Sequence, residues 1–109
     1  MKVAIADDDP IVCSSLATIL TVAHQAEVVW LAHNGEEAVK AYQSNAPDVL
    51  LVDIQMPGVN GLDAAERILQ LDPHAKVLFL TTFADQEYLE RALRIGAKGY
   101  LIKQDVSPV

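Results

Sequence analysis

The chain has 109 residues, of which 51% are hydrophobic and 21% charged, with 5 glycines, 5 prolines and a formal net charge of −7. That length suits one domain with one core, and that composition excludes a disordered or fibrous chain. With no basic cluster, the segment lacks the footprint of a nucleic-acid binder, and no apolar run nears the ~20 residues of a membrane helix.

The first apolar run, Lys2 to Ala6, reads as a short buried strand that ends on Asp7, Asp8 and Asp9. These acids follow the amino terminus too closely for a secretory leader, so a cytoplasmic protein with no membrane partner is expected. Asp9 is a plausible N-cap for a helix that opens on Pro10 and carries Val12, Leu16, Ile19, Leu20 and Ala23 at helical spacing. Cys13, the single cysteine, falls inside that helix. No Lys, Arg or His is offered nearby to stabilise a thiolate, so it reads as an inert packed thiol. Glu27 to Ala32 is a second strand, and Asn34-Gly35-Glu36-Glu37 opens a second helix with the apolar stripe Ala38, Val39 and Tyr42.

Asp48 to Val52 is a continuous apolar run, the pattern of a strand covered on both faces of a parallel sheet. Gly61 to Leu71 is helical, with Leu62, Ala65, Ile68 and Leu69 on one side, and Pro73 stops it. Lys76 to Leu80 is a fourth strand. Gln86 to Ile95 is a fourth helix with Leu89, Ala92 and Leu93 inward, and Lys98 to Ile102 is a fifth strand. Ser107-Pro108 has the form of an N-cap and first-turn proline, so a fifth helix is expected to begin there. On this reading residues 1–109 are one domain truncated at its carboxyl end, cut from or ordered only within a longer protein, and the missing helix would cover part of one sheet face. Trp30 and Phe79 read as core residues. His24, His33 and His74 are scattered without ligand spacing and read as solvent residues.

Strand and helix alternate at intervals that demand crossovers, hence a parallel sheet. Open α/β sheets bind ligands at the carboxyl ends of their strands. Those ends carry Asp7, Asp8, Asp53, Thr81 and Lys103: three carboxylates, a hydroxyl and an ammonium. Two carboxylates ~4 Å apart repel by about 4 kcal/mol at an effective dielectric near 20, so such a group must be discharged by protonation or by cations. Lys103 offers one charge. A Mg²⁺ ion suits the rest, because it takes one or two carboxylates, keeps waters and completes its shell with phosphate oxygens. Asp53, closing a buried strand before Ile54-Gln55-Met56-Pro57-Gly58, then reads as a carboxylate nucleophile that accepts phosphate. Singly, each signal has a plainer meaning: Asp7 to Asp9 as helix-capping acids, Asp53 as a turn acid, Thr81 as a strand residue, Lys103 as a surface lysine. The order at successive strand ends makes the combination specific.

From Lys2 to about Asp105 the chain resembles the receiver domain of bacterial two-component response regulators. The matching residues are Asp7-Asp8, Asp53 in Val52-Asp53-Ile54-Gln55-Met56-Pro57-Gly58, Gly61, Thr81 and Gly99-Tyr100-Leu101-Ile102-Lys103. Ile5-Ala6-Asp7-Asp8-Asp9-Pro10 and Leu80-Thr81-Thr82-Phe83 are similar to the NarL/FixJ-type subgroup, which usually carries a LuxR-type helix-turn-helix output domain after the receiver. The resemblance implies a flavodoxin-like doubly wound five-stranded parallel sheet of order 2-1-3-4-5 with its fifth helix missing or truncated. It also implies phosphorylation of Asp53 by a histidine kinase, with Mg²⁺ held by Asp8, Asp53 and the backbone carbonyl of Gln55, and by Asp7 through water. Lys103 and Thr81 would bind phosphoryl oxygens, and Tyr100 would change rotamer with Thr81 as a switch; without the resemblance Tyr100 reads as a core aromatic. DNA would be reached only through a separate C-terminal domain, and a homodimer on phosphorylation is a further expectation.

Two positions depart from the commonest pattern: Gln104 stands where many receivers have proline, and Asp9 adds a carboxylate that either strengthens cation binding or caps the helix. Gln55 and Phe83, two positions beyond Asp53 and Thr81, flank the path of water to a phosphoaspartate, so they are expected to tune dephosphorylation. The expected protein is not an enzyme beyond its own phosphorylation and dephosphorylation. An alternative is a small Mg²⁺-dependent phosphatase with Asp53 as nucleophile. A nucleotide- or flavin-binding module ranks last, for want of a glycine-rich loop after the first strand.

Overall fold

The alternating runs resolve into a single parallel sheet with helices on both faces in the computed structural model, which describes residues 1–81 and 85–102. In chain order these are β1 (Lys2–Ala6), α1 (Pro10–His24), β2 (Glu27–Ala32), α2 (Gly35–Ser44), β3 (Val49–Asp53), α3 (Gly61–Leu71), β4 (Val77–Thr81), α4 (Gln86–Arg94) and β5 (Gly99–Ile102). The strand order is β2-β1-β3-β4-β5, with every pair parallel, as the flavodoxin-like expectation requires. The expected fifth helix, and with it Phe83, Lys103 and Gln104, lies outside the described residues.

Helix starts follow local side-chain chemistry. Asp9, Asn34, Asn60 and Asp85 each accept a hydrogen bond from a first-turn N–H of α1, α2, α3 and α4 respectively, satisfying donors that the helix cannot. Asp9 therefore caps α1 at Ile11 N, 2.9 Å away. Helix α1 closes on Gln25, whose φ of 54° takes the left-handed position that glycine usually fills.

The period-2 alternation of the strands divides the core into two layers. Ala4, Ala6, Leu50, Val52, Val77 and Phe79 face α2, α3 and α4, meeting Ala38, Tyr42, Leu62, Ala65, Ile68 and Ala92. Val3, Ile5, Leu51 and Leu80 face the other way, onto Cys13 and Leu16 of α1. Burial of a side chain such as Phe79, Ile5 or Leu50 contributes roughly 1.5–3 kcal/mol each, and these buried strands hold the sheet edge in place. Phe79 is fully buried, whereas Trp30 is only half-buried and donates from Nε1 to the Asn45 carbonyl at 2.8 Å. Between α2 and α3, Tyr42 Oη donates to Asp72 Oδ2 at 2.7 Å; burial and the neighbouring carboxylate push its phenol up to about 12.

Four elements differ from the pattern-based ranges by one residue at one or both ends. Helix α4 ends at Arg94 rather than Ile95, and β5 begins at Gly99 rather than Lys98. The strands β3 and β4 each lie one residue later than the apolar runs suggested. This shift matters: Asp53 and Thr81 become the last residues of their strands, paired with Leu80 and Ile102, instead of the first residues of loops. Two apolar positions are corrected. Leu93 is 61% exposed, because α4 turns Ala92 inward and packs Tyr88 against the core, and Ala23 is exposed near the end of α1.

Candidate functional site

Parallel register brings the polar strand ends to one edge. Ala6 pairs with Val52, so Asp7 follows β1 beside Asp53 at the end of β3, and Leu80 pairs with Asp53, so Thr81 follows on the far side. Asp7, Asp53 and Thr81 are all buried, while Asp8 is exposed. Asp7, Asp8 and Asp53 each offer a carboxylate oxygen, and these atoms lie within 4.8 Å of one another. Of the sequence-predicted residues, the structure thus gathers the three acids and sets Thr81 on the adjoining strand.

Local geometry fixes the acids. Asp7 N–H donates to the carbonyl of Ala32 at 2.9 Å, and Asp7 Oδ1 accepts from Asp9 N at 2.9 Å. Asp53 Oδ1 lies 3.4 Å from the N–H of Gln55, and the loop that follows returns through Gly61 N, which donates to Ile54 O at 2.8 Å. A Cβ on Gly61 would fall inside the contact radius of the Asp53 carbonyl oxygen, so only glycine allows α3 to start this close to the acid.

The acid set consists of hard oxygen donors with no thiolate or imidazole among the clustered ligands, which matches Mg²⁺ or Ca²⁺ and not a soft metal. Mutual repulsion of carboxylates at this spacing gives a cation a reason to be there. Gln55 is exposed and lines, with Asp8, an open cavity of about 510 Å³ that extends over Met56 and Pro57 to Tyr88 and Arg91 of α4. Arg91 Nη2 donates to Asp63 Oδ1 at 2.6 Å and reaches Glu66 Oε2 at 3.5 Å, tying α4 to α3; the hydrogen bond it donates to Asp63 raises the guanidinium above its usual value, so it stays charged.

Tyr100 pairs with Phe79 across β4 and β5 and is 42% exposed, which corrects the reading of it as a core aromatic. Lys103 and Phe83 lie outside the described residues. Two residues that the sequence left without chemistry touch the site's backbone: His33, although exposed, brings Nδ1 within 3.1 Å of the Asp7 carbonyl oxygen, and Cys13 brings Sγ within 3.4 Å of the same atom. The expectation that no histidine stands near Cys13 is also corrected, since His33 Nδ1 is 3.9 Å from its Sγ. No sequence spacing relates residues 13 and 33. The pairing of β2 with β1 and the packing of α1 on the sheet bring them together.

Among the described residues no helix is long and apolar enough to cross a membrane. The family model described as response regulator receiver domain matches residues 3–107. The chain is 45% identical over 104 residues to the oxygen regulatory protein NreC of Staphylococcus aureus, a match covering 94% of this chain and 48% of that protein. It thus spans about half the length of the relatives it matches. Its fold is similar to the signal receiver domain of the response regulator NarL from Mycobacterium tuberculosis, with TM-score 0.87 and 28% identity over 94% of this chain and 82% of that one. It is also similar to a LuxR-family DNA-binding response regulator from Staphylococcus aureus, with TM-score 0.88 and 27% identity over 94% and 86% of the two chains.

Proposed function

The chain belongs to the response regulator receiver domain family, and on that premise we propose that Asp53 accepts a phosphoryl group from a histidine kinase in a Mg²⁺-dependent transfer. The observation that carries this reading is the convergence of Asp7, Asp8 and Asp53 within 4.8 Å at the sheet edge beside buried Thr81. In the transfer, an Asp53 carboxylate oxygen forms the new bond to phosphorus as the bond to the donor nitrogen breaks. Mg²⁺ would be held by Asp8, Asp53 and the Gln55 carbonyl, with Asp7 acting through water, and supplies charge neutralisation for the phosphoryl oxygens. Lys103 and Thr81 would take two of those oxygens, and Tyr100 would respond to Thr81, re-shaping the surface of α4 and β5. Gln55 and Phe83 would flank the approach of water and set the lifetime of the acyl phosphate.

Residues 1–109 would be the receiver of a longer regulator whose output domain, of the LuxR DNA-binding type found in similar proteins, controls transcription. Phosphorylation would favour pairing of two receivers. A tetrahedral phosphoryl mimic tests the site: beryllofluoride with Mg²⁺ should raise the thermal midpoint well above the value with either alone. At a ligand concentration 100 times its dissociation constant the gain is about 2.7 kcal/mol. Equal midpoints in all three conditions would contradict the reading.

A further inference from the structure

The β1–β2 ladder ends at the pairing of Ala6 with Ala32, and from there the chain of β1 is held by other groups. The N–H of Asp7 still reaches the Ala32 carbonyl, at 2.9 Å. Its carbonyl meets two side chains instead of a strand: His33 Nδ1 at 3.1 Å and Cys13 Sγ at 3.4 Å. A carbonyl oxygen only accepts, so the imidazole presents its proton on Nδ1 and the thiol donates, and the two donors use both lone pairs. The histidine is itself held. Its backbone N–H donates to Glu37 Oε2 at 2.8 Å, and Glu37 N donates to Asn34 Oδ1 at 2.9 Å, which ties His33 to the capped start of α2.

The peptide unit fixed in this way joins Asp7 to Asp8, the two acids on β1's side of the cluster. Rotation of that plane would swing the Asp8 carboxylate, which is exposed and has no core packing to direct it. We propose that His33 is a positioning residue of the acid site: with Cys13 it fixes the Asp7–Asp8 peptide and so aims the Asp8 carboxylate at a hard divalent cation. The inference rests on the reading that the acid cluster binds Mg²⁺. Groups one shell out from a metal orient the ligands that touch it, and their removal typically costs about 10- to 100-fold in metal affinity.

Calorimetric titration of the full chain with Mg²⁺ tests it. His33→Ala should weaken binding about tenfold, while the thermal midpoint without metal falls by no more than the few degrees that the loss of one hydrogen bond from an exposed side chain allows. His33→Asn, which can put an amide donor near the position of Nδ1, should recover most of the affinity. Equal affinities for wild type and His33→Ala would overturn the proposal. So would a His33→Asn variant as weak as His33→Ala, since the amide donor would then restore nothing. If the wild-type chain takes up no Mg²⁺, the metal reading itself fails and this inference with it, an outcome distinct from normal binding that ignores residue 33.

Discussion

Replacing Asp53 with asparagine should make the metal-free chain more stable, by about 1–3 kcal/mol, while abolishing its stabilisation by Mg²⁺. The sign follows from the clustering of three carboxylates within 4.8 Å, where each ionised pair repels by roughly 3 kcal/mol at an effective dielectric near 20. Unfolding separates these charges, so the repulsion weighs on the folded state alone. Asparagine has nearly the same shape and keeps an acceptor for the N–H of Gln55. An acid present only for its turn hydrogen bond behaves in the opposite way: its removal costs about 0.5–1.5 kcal/mol. Urea unfolding with and without Mg²⁺ distinguishes the two, and a variant less stable than wild type in chelator would count against an electrostatically loaded site.

Gly61→Ala should be the most damaging small substitution near the site, costing about 3 kcal/mol. Its new methyl would overlap the Asp53 carbonyl oxygen, a backbone atom in a strand whose inner neighbours Leu50, Leu51 and Val52 are all buried, so neither side can yield cheaply. Gly58→Ala is the matched control. Gly58 has open space around its Cβ position but a φ of +73°, so alanine there should cost only about 1 kcal/mol of backbone strain. Denaturant midpoints check the ranking. Equal losses at the two positions would show that conformational freedom, not close approach to Asp53, explains both.

Much of this site is legible in the sequence because its parts sit at strand ends, and apolar runs that stop at a polar residue mark those ends directly. Parallel topology then fixes which ends become neighbours, so Asp7, Asp53 and Thr81 meet although up to 74 residues separate the first from the last. The exact strand limits were less legible. An apolar run shows burial, whereas a ladder depends on hydrogen bonds that also include the polar residue following it, and Asp53 and Thr81 are such residues. The apolar pattern misplaces Leu93 because a short helix with Ala92 as its buried contact leaves apolar residues on its open side. The roles of His33 and Cys13 were beyond any local pattern, since both act on a backbone carbonyl, which has no residue type to mark it.

The plainer meanings of the single residues do not vanish in the fold. Asp9 caps α1, and Asp53 accepts from the N–H of Gln55, as an ordinary turn acid would. What capping and turn geometry do not explain is the concentration of buried acid: Asp7 and Asp53 lie at 0% and 4% exposure, and Asp8 joins them at the mouth. Burying carboxylates side by side costs stability unless a cation or covalent chemistry uses them.

The most direct measurement is residue-level mass spectrometry after incubation with acetyl phosphate and Mg²⁺. The proposed function predicts a single added phosphoryl group, carried by the side chain at position 53, dependent on Mg²⁺ and missing from Asp53→Asn. A chain that stays unlabelled, or carries its label at any other residue, would contradict the assignment of Asp53 as the phosphoryl acceptor.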